Sequence, residues 1–128
     1  MPKITYRFIA NNQNIKKLEQ AKRRALMMTG EALKTEVINM QVVPKDTGEL
    51  ERSGFIDESK LERLVISLVF DTPYARRLYW HPEYNFRQDI NPNARGMWLE
   101  PFITGDKKDW VKETFIKFFR QEAKGLIK

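Results

Sequence analysis

The sequence feature that most constrains the fold is residues 43–50 (VPKDTGEL), which separate a helical pattern from a run of predicted strands. Pro44 has no backbone N–H and disfavours helical angles at the residue before it, so the preceding helix must end here. Asp46 and Thr47 can accept hydrogen bonds from nearby backbone N–H groups, and Gly48 tolerates backbone angles that other residues avoid. The segment therefore predicts a stiff corner.

Two elements are predicted before this corner. Residues 3–9 (KITYRFI) alternate and are rich in β-branched and aromatic side chains, which predicts a strand. Residues 15–41 place apolar side chains at steps of three and four, which predicts an amphipathic helix that glycine could interrupt at Gly30. The basic residues that fall mostly on the other face are Lys16, Lys17, Lys22, Arg23 and Arg24. Such a stripe is more often a solvated face than a DNA contact.

Three elements are predicted directly after the corner. Residues 49–52 can form one helical turn capped by Asp46 or Thr47. Residues 54–59 predict a weak strand, and residues 63–70 (RLVISLVF) predict a stronger one. Because both faces of the second strand are largely apolar, we expect it to be a central strand that is buried on both sides.

The rest of the chain predicts two helices joined by a long loop. Residues 72–79 fit a short helix, since Pro73 suits its first position. Residues 83–96 form a polar and aromatic loop, and residues 106–128 predict a second amphipathic helix. The residues expected on its buried face are Trp110, Val111, Phe115, Phe118 and Phe119.

Length and charge narrow the classes of protein. A chain of 128 residues, 1–128, fits a single domain, and the net charge is +6. Residues 1–42 carry eight Lys or Arg against three Asp or Glu, and residues 106–128 carry seven against four, whereas residues 43–105 carry eight against ten. A nucleic-acid enzyme would more often carry its positive charge around its working surface. No apolar run is long enough to span a bilayer.

The sequence contains little that points to catalysis. It has no cysteine, which excludes disulfides, cysteine nucleophiles and thiolate metal sites. The single histidine, His81, has neither a second histidine nor a recognised ligand spacing to Glu83 and Asp89, so we expect a packed or hydrogen-bonded turn residue. We therefore predict no enzymatic activity, no cofactor and no metal site.

Aromatic residues concentrate in the second half of the chain. Eight of the fifteen lie between Phe70 and Phe102, interleaved with four arginines. This composition fits three kinds of structure: a small α+β core, a protein interface, or a platform for single-stranded nucleic acid. We favour the first two of these structures.

The corner and the segments that follow it resemble a known group of proteins. The corner with Ser53, a later Pro-Tyr-Ala at residues 73–75, and a late Pro-Phe at residues 101–102 resemble the small neck proteins of long-tailed bacteriophages, the head–tail joining or tail-completion proteins. Residues 79–86 (YWHPEYNF) and 91–98 (NPNARGMW) are similar to minor capsid proteins of phages and prophages of Gram-positive bacteria.

This resemblance implies a fold and a role. The implied fold is α+β, with a small antiparallel β-sheet packed against a long N-terminal helix and a C-terminal amphipathic helix. The implied role is structural: a sixfold or twelvefold ring at the head–tail junction that joins or completes the tail and lets double-stranded DNA pass. The implied partners are further copies of the chain and neighbouring connector and tail proteins. The implied location is the virion, and the host bacterial cytoplasm before assembly.

The same reasoning gives a set of candidate interaction residues: Pro44, Asp46, Thr47, Gly48, Tyr74, Tyr79, Trp80, His81, Arg95 and Trp98. The first four set the corner, and the aromatic residues are expected to anchor packing between subunits. On this hypothesis, replacing Trp80 and Trp98 by alanine leaves a folded monomer that does not assemble. The alternative is a small basic nucleic-acid-binding protein or a toxin-type ribonuclease, which the slightly acidic middle of the chain disfavours.

Overall fold

The computed structural model describes residue 3 and residues 12–45 and 48–126. The chain is α+β, with a long N-terminal helix, a two-stranded antiparallel sheet and a C-terminal helix that packs against the first helix. The predicted fold class is thereby confirmed. The strand predicted over residues 3–9 lies, apart from residue 3, outside the described residues.

The elements follow one another in this order. The helices are α1 (Asn12–Met40), α2 (Glu49–Arg52), α3 (Ala75–Tyr79), α4 (Glu100–Ile103) and α5 (Trp110–Glu122). The strands are β1 (Gly54–Asp57) and β2 (Ser67–Phe70), with a single 3₁₀ turn, Leu61–Arg63, between them.

The first helix, α1, runs without a break over 29 residues, or about 43 Å. The interruption that glycine could cause at Gly30 does not occur, and this glycine instead allows a close approach to the helix. A Cβ atom built there would lie 2.7 Å from Cδ1 of Ile66 and 3.2 Å from Cγ2 of Ile56. The hairpin therefore packs directly on the helix backbone at this point. The helix ends at Met40, where Gln41 turns into the left-handed region with φ 56°.

The hairpin is shorter than the sequence predicts. Strand β1 pairs antiparallel with β2, and Gly54 lies opposite Phe70. The strand predicted over residues 63–70 forms only over Ser67–Phe70, because Leu64 has a left-handed φ of 58° at the end of the 3₁₀ turn. The expectation of a central strand is wrong, since the sheet in the described part of the chain has two strands. The chain becomes extended only at Ser67, and Leu64 and Val65 are exposed.

The last helix, α5, lies antiparallel to α1. Nη1 of Arg24 is 3.3 Å from Oε2 of Glu122, and Lys107 contacts Glu36 further along the pair. The five residues predicted for its buried face are all half-buried. The helix begins at Trp110, four residues later than predicted, and no side chain caps its first turn.

The core is built around Trp98. Its side chain is 1% exposed, and its ring packs edge-on against Phe70 at 5.6 Å and Tyr79 at 4.8 Å between centroids. Val37 and Val43 belong to the same buried cluster. Trp98 is thus a core residue of the single chain and offers no surface to a neighbouring subunit, so the expectation that it anchors a contact between subunits needs correction.

The buried position of Trp98 predicts that replacement by alanine destabilises the fold far more at Trp98 than at Trp80. Trp98→Ala should lower the free energy of unfolding by about 3–5 kcal/mol, because it empties a large buried volume. Trp80→Ala should change that free energy by less than about 0.5 kcal/mol, because the Trp80 side chain is 61% exposed. Urea unfolding followed by far-UV circular dichroism measures both values, and equal losses would contradict the assignment.

Candidate functional site

An open cleft of about 700 Å³ lies between the corner and the aromatic loop. Three segments meet there: the corner with the start of α2, residues 74–78 at α3, and the loop at residues 84–87, which follows α3 closely in the sequence. The residues that line the cleft are Pro44, Lys45, Gly48, Glu49, Leu50, Tyr74, Leu78, Tyr84, Asn85, Phe86 and Arg87. Two of these segments, the corner and the one around Tyr74, contain motifs that resemble phage neck proteins. The third belongs to the loop whose motifs resemble minor capsid proteins.

The far part of the loop holds the corner in place. Nδ2 of Asn93 donates to the carbonyl oxygen of Met40 at 2.9 Å, and the backbone N–H of Arg95 donates to that of Val42 at 3.0 Å. Nδ2 of Asn91 donates to the carbonyl oxygen of Val43 at 2.9 Å. Asn91, Asn93 and Arg95 form what we call the loop clamp. Together they pair the carbonyl group of Met40, which the end of α1 leaves without a helical partner, and those of Val42 and Val43, which follow the helix.

The loop clamp also reaches helix α2. Nδ2 of Asn91, a residue only 4% exposed, donates to Oε2 of Glu51 at 2.7 Å. Nζ of Lys45 lies 3.8 Å from the other oxygen of the same carboxylate, whose side chain is 12% exposed. A single buried amide therefore ties the loop, the corner and the first turn after the corner together.

Gly48 has the role that the sequence predicts. Its φ of 83° lies in the left-handed region that favours glycine, and a Cβ atom there would be 2.7 Å from Nη1 of Arg52. The predicted helical turn over residues 49–52 is confirmed as α2. Asp46 and Thr47, the caps predicted for this turn, lie outside the described residues.

The near part of the loop is ordered by side chains around Tyr84. Nδ1 of His81 lies 2.7 Å from Oε1 of Glu83, and the His81 ring stacks on Tyr84 at 4.7 Å. The hydrogen bond from His81 lowers the pKa of Glu83. Nε of Arg77 donates to the Tyr84 hydroxyl at 3.4 Å, and this hydrogen bond raises the pKa of Arg77. His81 is therefore a hydrogen-bonded turn residue, as predicted.

The loop returns to the core past α3 at Gly96. A Cβ atom there would be 2.7 Å from Cα of Pro82 and 3.1 Å from the carbonyl oxygen of Leu78. The backbone N–H of Met97 then donates to the carbonyl oxygen of Tyr79 at 2.8 Å. Only glycine fits this crossing without a backbone shift.

The structure divides the predicted interaction residues into four groups. The cleft is lined by Pro44, Gly48 and Tyr74, and the interior holds Tyr79 and Trp98, which pack together. Along the loop lie Trp80, His81 and Arg95. Outside the described residues lie Asp46 and Thr47. Trp80 packs edge-on against Tyr79 at 5.0 Å but leaves most of its ring in solvent. The helical spacing of α3 places Trp80 away from the face that carries Tyr74 and Leu78.

Sequence reasoning missed two residues that shape the site, Asn91 and Glu51. The sequence places Asn91 in the loop over residues 83–96 and Glu51 in the helical turn over residues 49–52, and it indicates no contact between them. Their contact spans 40 residues of sequence, so no local pattern could reveal it. The Asn91-Pro92 pair signals a turn but does not show what the amide holds.

The described residues contain neither a metal-ligand cluster nor a membrane-spanning helix. No group of three or more His, Cys, Asp or Glu side chains is placed to hold a metal ion. None of the helices described combines the length and apolar character that crossing a membrane requires.

Comparison of the chain with protein-family models, with curated proteins and with solved structures gave no match. The proposed function therefore depends on the motifs of the sequence and on the geometry of the cleft.

The loop clamp predicts a strong effect at Asn91. Asn91→Asp should destabilise the fold by about 2–3 kcal/mol at neutral pH, because a carboxylate replaces a buried donor beside Glu51. Repulsion raises the pKa of the carboxyl pair in the folded state, so the stability lost relative to the wild type should shrink as pH falls through that raised pKa. Urea unfolding over a pH series measures this trend.

The control for this prediction is Asn93→Asp, the same chemical change at an exposed clamp residue. Asn93→Asp should lower the free energy of unfolding less than Asn91→Asp does, and this loss should depend less on pH. Equal curves for the two variants would mean that the buried contact with Glu51 does not hold the corner.

The contact between His81 and Glu83 makes a separate prediction. His81→Ala should raise the pKa of Glu83 towards its ordinary value, because the hydrogen bond from His81 is the main cause of the lowering. The pKa of Asp89, which a hydrogen bond from Arg87 lowers, should stay unchanged. NMR titration of the side-chain carboxyl carbons measures both pKa values. An unchanged pKa of Glu83 would show that its hydrogen bond with His81 does not help to order the loop.

Proposed function

We propose that the chain is a structural neck protein of a long-tailed bacteriophage. It assembles as a ring at the head–tail junction, joins or completes the tail, and lets double-stranded DNA pass. Its partners are further copies of itself and the neighbouring connector and tail proteins, and it works in the virion after synthesis in the bacterial host.

One observation carries this proposal: the corner and the segment around Tyr74, which carry the resemblance to neck proteins, line a single cleft together with the aromatic loop. Residues 44–45 and 48–50 are separated in sequence from residues 74–78 and 84–87, yet the three segments line one concave surface. Motifs that converge on one surface are expected when the surface itself is the functional feature. Its aromatic and arginine residues also match the composition of protein interfaces.

The geometry suits a subunit that meets its neighbours head-to-tail. Such a contact needs two different surfaces on each subunit, and it closes into a ring when the rotation between subunits is right. The cleft offers a concave surface, and Trp80 offers a large exposed side chain on a different side of α3. The loop clamp keeps the corner at a fixed angle, which matters because an angular error repeats at every subunit.

The proposal predicts that Trp80→Ala prevents head–tail joining while the chain still folds. The phage that encodes the chain is grown without its own copy and supplied with wild-type or variant protein. Electron microscopy then counts joined virions, free heads and free tails. With the wild type we expect joined virions, and with Trp80→Ala we expect at least about a tenfold loss, typical of a removed aromatic hot spot.

A matched control is Ile103→Ala, because Ile103 is also 61% exposed but lies at the end of α4, directly after the Pro-Phe motif, and does not line the cleft. This variant should support joining at the wild-type level. Joined, infectious virions in the complete absence of the chain would overturn the neck role. If Ile103→Ala and Trp80→Ala reduced the number of joined virions equally, the placement of Trp80 in the contact between subunits would be wrong.

A further inference from the structure

Charge is distributed unevenly along the α1–α5 pair. The contact between Arg24 and Glu122 brings the N-terminal half of α1 beside the C-terminal end of α5. The ion pairs at this end are Lys22 with Glu19 at 3.0 Å, Arg23 with Glu62 at 3.2 Å, and Arg24 with Glu122 at 3.3 Å. Three of the five residues of the basic stripe on α1 are therefore neutralised.

Five other cations at the same end remain. Within the part of the chain that the structure describes, none of them has a carboxylate within 4.0 Å, and all are exposed. These residues, which we call the basic end, are Lys16, Lys17, Lys117, Arg120 and Lys124. Lys117 and Arg120 lie three residues apart on α5 and so share one outward face, and Lys124 follows directly after the end of this helix. From the antiparallel alignment, the basic end extends over about 20 Å.

The other end of the helix pair is nearly neutral. Its acidic residues are Glu31, Glu36, Asp106, Asp109 and Glu113, and its basic residues are Lys34, Lys107, Lys108 and Lys112. Glu36 and Lys107 pair directly. The excess positive charge is therefore a property of one end of the helix pair and not of the whole surface.

The chemistry of the basic end identifies its ligand. Four of its five cations are lysines, which act as flexible point charges and lack the planar, bidentate geometry of arginine. Cations spread over about 20 Å match an extended chain of regularly spaced negative charges better than a single anion. We propose that the basic end binds the phosphate backbone of double-stranded nucleic acid without reading its sequence. This inference goes beyond the ring role and does not depend on the cleft.

The test measures binding of the whole chain to a short DNA duplex of mixed sequence at several salt concentrations. If all five cations contact phosphates, the logarithm of the association constant should fall with the logarithm of the salt concentration at a slope of about −4 to −5. Affinity should then drop roughly a few hundredfold between about 50 and 200 mM salt. In the variant Lys117→Gln, Arg120→Gln, Lys124→Gln the slope should weaken by about 2 to 3.

The matched control removes the same number of charges from the neutral end: Lys34→Gln, Lys108→Gln, Lys112→Gln. Its slope should equal that of the wild type. Equal weakening in both triple variants would show that only net charge matters, and would overturn the proposal. So would binding to poly-glutamate in place of the duplex, which would indicate an acidic protein partner. Neither result bears on head–tail joining, which the Trp80 experiment tests separately.

Discussion

The chain turns at Gln41, where α1 ends, and the loop clamp donates hydrogen bonds to the carbonyl groups of Met40, Val42 and Val43 around this turn. The donors come from residues that lie about 50 positions further along the chain. Because Asn91 also holds Glu51, the same buried amide fixes α2 against the corner. Buried polar groups are costly when they are left unpaired, so this arrangement favours one relative position of loop and corner over all others. The cleft exists because that position is fixed.

A site of this kind depends on long-range contacts at each of its walls. The corner is held by the loop clamp, the loop is held against α3 where Gly96 crosses Pro82, and α3 is held to the core by Tyr79 and Trp98. We therefore expect the cleft to form only as the tertiary structure forms. Its shape is then inherited from the core, which suits a protein whose proposed role is to present a surface of defined geometry.

The elements that sequence reasoning predicted well are those defined by local patterns. The periodicity of α1, the turn after Gly48 and the positions of α3 and α5 each depend on neighbours in sequence. The incorrect predictions concern residues whose conformation or burial depends on contacts with distant parts of the sequence. Leu64 interrupts the predicted strand because a 3₁₀ turn precedes it, and Trp98 lies inside the core although its neighbours belong to a polar loop. The contact between Asn91 and Glu51 could not be predicted, since turn chemistry alone does not indicate which distant group an amide will hold.

The three tryptophans of the chain occupy three different environments. Trp98 is enclosed by Phe70 and Tyr79, Trp110 packs against Phe102 while half-buried, and Trp80 faces water. Indole emission moves to shorter wavelength as the ring leaves water, so the red side of the fluorescence spectrum should come mainly from Trp80. A soluble quencher such as iodide would act on that ring first. The chain thus carries an intrinsic optical reporter of what covers the end of α3, separate from the signal of its interior.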